Sequence, residues 1–156
     1  MSDLNSAREL IESRIEAFVA LFAVGCSRPT LAELAAALDE LTSAYFATPD
    51  VEPHSTDATR APNIDERAFS ERAAEIFPDL KWFCTVEPDG EVEQSVGLSD
   101  ACGDLAEIAN DLDHVVWEFR EGSISDGIWE FRFGYQTHWG RHLHELRTYL
   151  HTLAAW

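Results

Sequence analysis

From Ser6 to Val24 the apolar residues Leu10, Ile11, Ile15, Phe18, Val19 and Phe22 recur at spacings of three and four, the stripe of an amphipathic helix that Gly25 is placed to end. A second stripe, Leu31, Leu34, Leu38, Leu41 and Tyr45, opens on Thr30 and Glu33, whose spacing predicts a capping box. Residues 48–64 carry three prolines and no periodicity, so they read as a surface loop long enough to be functional or mobile. Asn63 and Glu66 then cap a shorter helix through Phe69, Ala73 and Ile76 to Phe77, stopped by Pro78. "KWFCTVEPDGEVEQSV", residues 81–96, is rich in β-branched and aromatic positions around the turn signal "EPDGE", which suggests a short hairpin or extended strap. Leu105, Ile108, Leu112, Val115, Val116 and Phe119 line a helix from about Ser99 to Glu121, with Gly122 at its end. Ser123 or Ser125 next caps one long helix through Trp129 and His138 to about Leu153. The expected fold is all-α: a single domain over residues 1–156, a bundle of about five helices, with residues 98–153 as its best-defined helix pair.

Composition narrows the function classes. With 46% hydrophobic and 11% aromatic residues the chain reads as a folded globule, and 156 residues suffice to bury a core without metal or disulfide. A net charge of −18 with Lys81 as the single lysine leaves no basic stripe, so no nucleic-acid partner is expected, and an anionic membrane is disfavoured for the same reason. The longest apolar run, Ala17 to Val24, falls short of the roughly 20 residues needed to span a bilayer. It also follows Glu9, Glu12, Arg14 and Glu16 rather than a basic start, so a cytoplasmic location is expected. Cys26, Cys84 and Cys102 lack a CxxC spacing and read as buried thiols. One lysine against ten arginines suggests a GC-rich bacterial genome.

The candidate chemistry lies in the last two predicted helices. Ile128, Tyr135, Trp139, Leu143, Leu146, Leu150 and Leu153 form the core arc of a continuous helix, with Arg132 inside it and His142 at its edge. His138 and Glu145 flank the arc, Arg141 lies further round, and His144, Arg147 and His151 point to solvent. On the preceding helix Asp104, Glu107, Asp111, His114 and Glu118 share one side, and Asp104 and Asp111 line the border of the apolar face. A buried guanidinium needs an acidic partner, so the expected arrangement is an interhelical network of Asp104, Glu107 and Asp111 with Arg132, His138 and His142, joined by Arg141. On that geometry Arg132→Met disturbs folding less than Asp111→Ala or Asp104→Ala, because border carboxylates left behind can reach water.

His138 and His142 stand four apart, a spacing at which two imidazoles share a metal, but HxxxH without an HExxH or ExxH motif is a weak pattern. No cofactor is therefore expected. Arg132, Arg141 and the two histidines could instead bind an anionic metabolite of unknown identity. No nucleophile, phosphate loop or GxSxG elbow marks an enzyme. The leading reading is a non-enzymatic interaction or structural protein with a protein partner or as a homodimer, and the alternative is a small-ligand or metal-binding protein using the same network. An interaction module predicts His138 and Arg141 engaged with carboxylates, whereas a binding protein predicts them lining an open cavity.

"DLAEIANDL" (104–112) followed by "WEFRFGYQTHWGRH" (129–142) resembles DUF5063, a bacterial domain family of unknown function with a D-L-A-D-I-Y-R-D-L-like helix and a later W-E-W-R-F…H-W-G-R-H-like helix. The resemblance is specific over residues 98–150 and looser upstream. This chain has Ala109 and Asn110 where the family pattern tends to Tyr and Arg, and Phe131 in place of the second Trp. It implies an all-helical fold and draws attention to the same polar residues, without implying a reaction.

Overall fold

Thr30 accepts a hydrogen bond from the Glu33 amide while the Glu33 carboxylate accepts one from the Thr30 amide, so the expected capping box opens α2 (Leu31–Ala47). The computed structural model describes residues 2–25, 28–55 and 61–154. Within them the other helices are α1 (Ser2–Ala20), α3 (Glu66–Ile76), α4 (Ala101–Glu121), α5 (Ile124–Thr137) and α6 (Trp139–Leu153). Strands β1 (Trp82–Val86) and β2 (Val96–Asp100) pair antiparallel in the predicted 81–96 region, Trp82 opposite Asp100 and Val86 opposite Val96. The domain is predominantly helical, as the apolar periodicity implies.

Helix α4 is central, packed against α3, α5 and α6, while α1 lies on α2 and α5. The core is built from Ile11 and Phe18 of α1, Leu34, Leu38 and Leu41 of α2, Leu105, Ile108 and Leu112 of α4, Ile128 and Phe131 of α5, and Trp139, Leu143 and Leu146 of α6. The ribbon runs directly into α4 and is held to the bundle from the other side by α6. Phe83 stacks on Tyr149 with ring centroids 4.7 Å apart, and the Lys81 amide donates to the Tyr149 hydroxyl at 3.2 Å. The Arg141 guanidinium meets Glu87 beyond the end of β1.

Several boundaries differ from the sequence-based expectation. The first helix ends at Ala20 and continues as turns towards Gly25, which takes a left-handed φ of 87°. Asp65, not Asn63, caps α3 by accepting from the Ala68 amide, and Asn63 faces His114 instead. The expected single long helix after Gly122 is two helices, broken at His138 (φ −145°, ψ −84°), which raises the count to six among the described residues.

The cause of the break is steric. Trp139 is fully buried, and a Cβ at position 134 would lie 2.8 Å from its indole ring, while a Cβ at position 140 would run into the Tyr135 carbonyl. Glycine at both positions lets α6 tuck its first residue beneath α5. Of the expected buried thiols Cys102 is buried, and that burial pushes its pKa up to about 11. Cys84 is exposed on the ribbon, and Cys26 lies outside the described residues. Leu153, expected in the core, is partly exposed at the end of α6.

Candidate functional site

The break at His138 brings five of the seven candidate residues together. His138 ends α5 and precedes α6 while His142 lies one turn inside it, and their rings meet edge to face with centroids 4.9 Å apart. Each ring uses Nδ1 to donate to a carboxylate on α4: His138 to Asp111 at 2.6 Å, and His142 to Asp104 at 3.1 Å. Both Nε2 atoms face Glu107 Oε2, at 3.4 Å from His138 and 2.9 Å from His142. The spacing of Asp104, Glu107 and Asp111 along α4 puts one carboxylate on each successive turn of the face that α6 crosses.

Asp104 is the innermost member. Its side chain is buried, and Oδ1 also accepts from the Ser99 hydroxyl at 2.7 Å, while Oδ2 has no hydrogen-bond partner among the described residues. The hydrogen bond to Asp104 raises the His142 pKa against the opposing effect of burial, since the charged ring is the better donor.

The two arginines stand elsewhere. Among the described residues Arg132 forms no hydrogen bond or ion pair with Asp104, Glu107 or Asp111. Its Nη1 donates to the carbonyls of Tyr45 at 2.7 Å and Thr48 at 2.8 Å, its guanidinium lies 4.6 Å over the Tyr45 ring, and Asp50 is 3.7 Å away. A cation at the carbonyl end of α2 satisfies groups the helix leaves unpaired and complements its dipole, so backbone oxygens supply most of the compensation that the sequence assigned to carboxylates. Arg141 turns outward to Glu87 and Glu145, and those partners raise its pKa. His144 and Arg147, expected to be merely solvated, pair with the Tyr135 hydroxyl and with Asp39 respectively.

Two anchors went unrecognised in the sequence. Asn110 accepts from the Ile64 amide at 3.1 Å, so the position where the family pattern tends to Arg ties down one end of the 48–64 loop. Asp126 holds the other described stretch: its Oδ1 accepts from the amides of His54 at 2.6 Å and Ser55 at 3.0 Å, and its Oδ2 from the hydroxyl of Ser123, the α5 N-cap. The signal was present as Ser-x-x-Asp at 123–126.

Burial raises the Asp126 pKa, but the Ser55 amide, the Ser123 hydroxyl and the His54 amide outweigh it and leave the carboxyl below its ordinary range. Glu118, raised by burial and then by Glu130 and Asp126, and His54 are titratable groups that face it. A lowered folded pKa contributes stability that is present above the unfolded value and lost as pH falls through the folded one. Asp126→Ala is therefore expected to lower stability at neutral pH by about 2–3 kcal/mol. Urea melts should show that gap narrowing from pH 5 to pH 3, and a constant gap would contradict the assignment.

A cavity of about 670 Å³ opens between α1, α3 and α4, lined chiefly by Ile15, Val19, Phe22, Ile64, Phe69 and Val116. None of the seven candidate residues lines it. Among the described residues no helix is long and apolar enough to cross a membrane.

Comparison with known proteins agrees with this architecture. The crystal structure of protein BF1032 from Bacteroides fragilis superposes with a TM-score of 0.64 over 96% of this chain and 95% of that one, at 16% identity, a likeness of fold alone. A search of curated proteins returns no match. The family model described as "Domain of unknown function (DUF5063)" matches residues 13–155, nearly the whole chain, which therefore belongs to the DUF5063 family.

Proposed function

We propose that the chain is a non-enzymatic interaction protein that works as a homodimer, each copy meeting the other through the outer face of the β1–β2 ribbon. The observation that carries this reading is the make-up of that face. Phe83 points into the bundle, so Trp82, Cys84 and Val86 point away from it, beside their cross-strand partners Asp100, Leu98 and Val96, with Asp100 at the edge of the face as the α4 N-cap. Trp82, Val86, Val96 and Leu98 are 63%, 56%, 68% and 66% exposed, a contiguous apolar surface with no second layer among the described residues. Contiguous apolar surface of this kind marks an interaction site, whereas scattered apolar residues do not.

A second copy fits this surface in area and charge. The patch is on the order of 500 Å² per chain, so two patches bury roughly 1,000 Å², near the lower end for a specific interface. Two chains of −18 repel each other, and the central positions of this face bear no charge. Face-to-face antiparallel packing also sets the acidic turns of the two ribbons, with Glu87, Asp89, Glu91 and Glu93, at opposite ends of the interface and so keeps their charges apart. The engagement of Arg141 by Glu87 and Glu145 further supports an interaction module. A reducing, cytoplasmic setting is the natural companion of free thiols at Cys84 and Cys102, and the charge disfavours nucleic-acid and anionic-membrane partners.

Analytical ultracentrifugation of the full chain from about 1 to 200 µM tests the proposal. The wild type is expected to dimerise, and Leu98→Glu or Val86→Glu to weaken association at least tenfold with an unchanged circular-dichroism spectrum. A wild-type monomer throughout, or a dimer indifferent to both substitutions, overturns it.

A further inference from the structure

We infer that His138, His142 and Glu107 form a binding site for one divalent first-row transition ion of the zinc class. The argument starts from the two imidazole protons. Asp111 and Asp104 are each positioned to accept from an Nδ1, so a neutral ring in either place carries its proton on Nδ1 and turns the Nε2 lone pair outward. Both lone pairs then point at the same carboxylate oxygen of Glu107, 3.4 Å and 2.9 Å away. Lone pairs facing a carboxylate repel unless positive charge stands between them. A proton on His142 relieves only that ring and leaves the His138 lone pair facing Glu107, and protonating both rings, with centroids 4.9 Å apart, sets two cations against each other. One shared dication supplies the positive charge without that penalty.

The distances suit such an ion. The three ligand atoms all lie within 4.8 Å of one another. A tetrahedral ion about 2.1 Å from each ligand spaces them roughly 3.4 Å apart, so small side-chain adjustments close the site. Two nitrogens and one oxygen favour a borderline cation such as zinc over magnesium or calcium, which prefer all-oxygen shells.

The surroundings match what metal-binding imidazoles require. In metal sites the second ring nitrogen is held by a carboxylate that fixes the tautomer and strengthens the ligand, the role open here to Asp111 and Asp104. Asp104 is itself oriented by Ser99, and positive charge on the far side of the His142 ring would offset the burial of its carboxylate. Arg141, the cation that the sequence sets between the two histidines, is directed to Glu87 and Glu145 and leaves the site open to a metal. Three protein ligands, from α4, the α5–α6 joint and the first turn of α6, leave the remaining coordination positions to water.

Isothermal titration of the full chain with Zn(II), in buffer containing excess Mg(II), tests this site. The expected result is one ion per chain with a Kd of about 1 µM or tighter, weakened at least tenfold by His138→Ala and by Glu107→Gln. Asp111→Asn, which reaches the ion only through the His138 ring, should weaken binding by roughly 10–100-fold. Substitution of the more buried His142 risks the fold, so the half-exposed His138 and Glu107 carry the test, with circular dichroism verifying each variant. No saturable binding up to about 100 µM, or binding unchanged in both His138→Ala and Glu107→Gln, overturns the inference.

Discussion

Gly140→Ala is expected to destabilise the protein by about 3 kcal/mol or more, a fall in Tm of roughly 6–12 °C for a chain of this size. Helix propensity alone gives the opposite sign, since alanine is favoured over glycine by about 1 kcal/mol within a helix. The expected loss comes from the join between α5 and α6, where a new methyl would run into the carbonyl of Tyr135. Backbone cannot yield there without lifting Trp139 from the core or straightening the break at His138. Gly103→Ala is the control. A Cβ there meets its nearest neighbour, the Asp100 carboxylate, at an ordinary 3.4 Å, so that variant should gain up to about 1 kcal/mol. Thermal melts that show both variants stabilised would refute the close approach.

Arg132→Met should cost about 3 kcal/mol, because it strips two charge-assisted hydrogen bonds from the carbonyls of Tyr45 and Thr48 and removes the cation stacked on Tyr45. Asp111→Ala should cost nearer 1 kcal/mol, since its partner His138 is half exposed and can turn to water. The order reverses the one drawn from the sequence, where Arg132 was assigned to the α4 carboxylates. Urea melts of the two variants decide between them: a milder Arg132→Met would show that the capping bonds contribute little.

That reversal marks where sequence reasoning runs out. Thr30 with Glu33 and Gly122 at the end of α4 are local devices, and each was legible because its partners lie within one turn of chain. The meeting of Asp104, Glu107 and Asp111 with His138 and His142 was also legible, because neighbouring helices with apolar faces must pack those faces together and bring their borders into contact. Arg132 reaches carbonyls 84 and 87 residues away, and no spacing rule connects a guanidinium to the end of a distant helix. The break at His138 was hidden for a different reason. Ile128, Phe131 and Tyr135 keep helical spacing within α5, and Trp139, Leu143, Leu146 and Leu150 keep it within α6, so the periodicity reads straight across the joint. Only Gly134 and Gly140 signal it, and their meaning depends on Trp139 being turned inward between them.

The anchoring of the ribbon by Tyr149 and Arg141 bears on the order in which the chain matures. Both anchors belong to α6, the last helix in chain order, whereas the strands they hold are made well before it. A lone two-stranded ribbon is marginal in water. During synthesis Trp82, Val86, Val96 and Leu98 therefore emerge on a frayed hairpin, and Phe83 behind them gains its stacking partner only when the helix bearing Tyr149 docks. The shape of this apolar face is therefore settled by a helix made well after the strands that carry it.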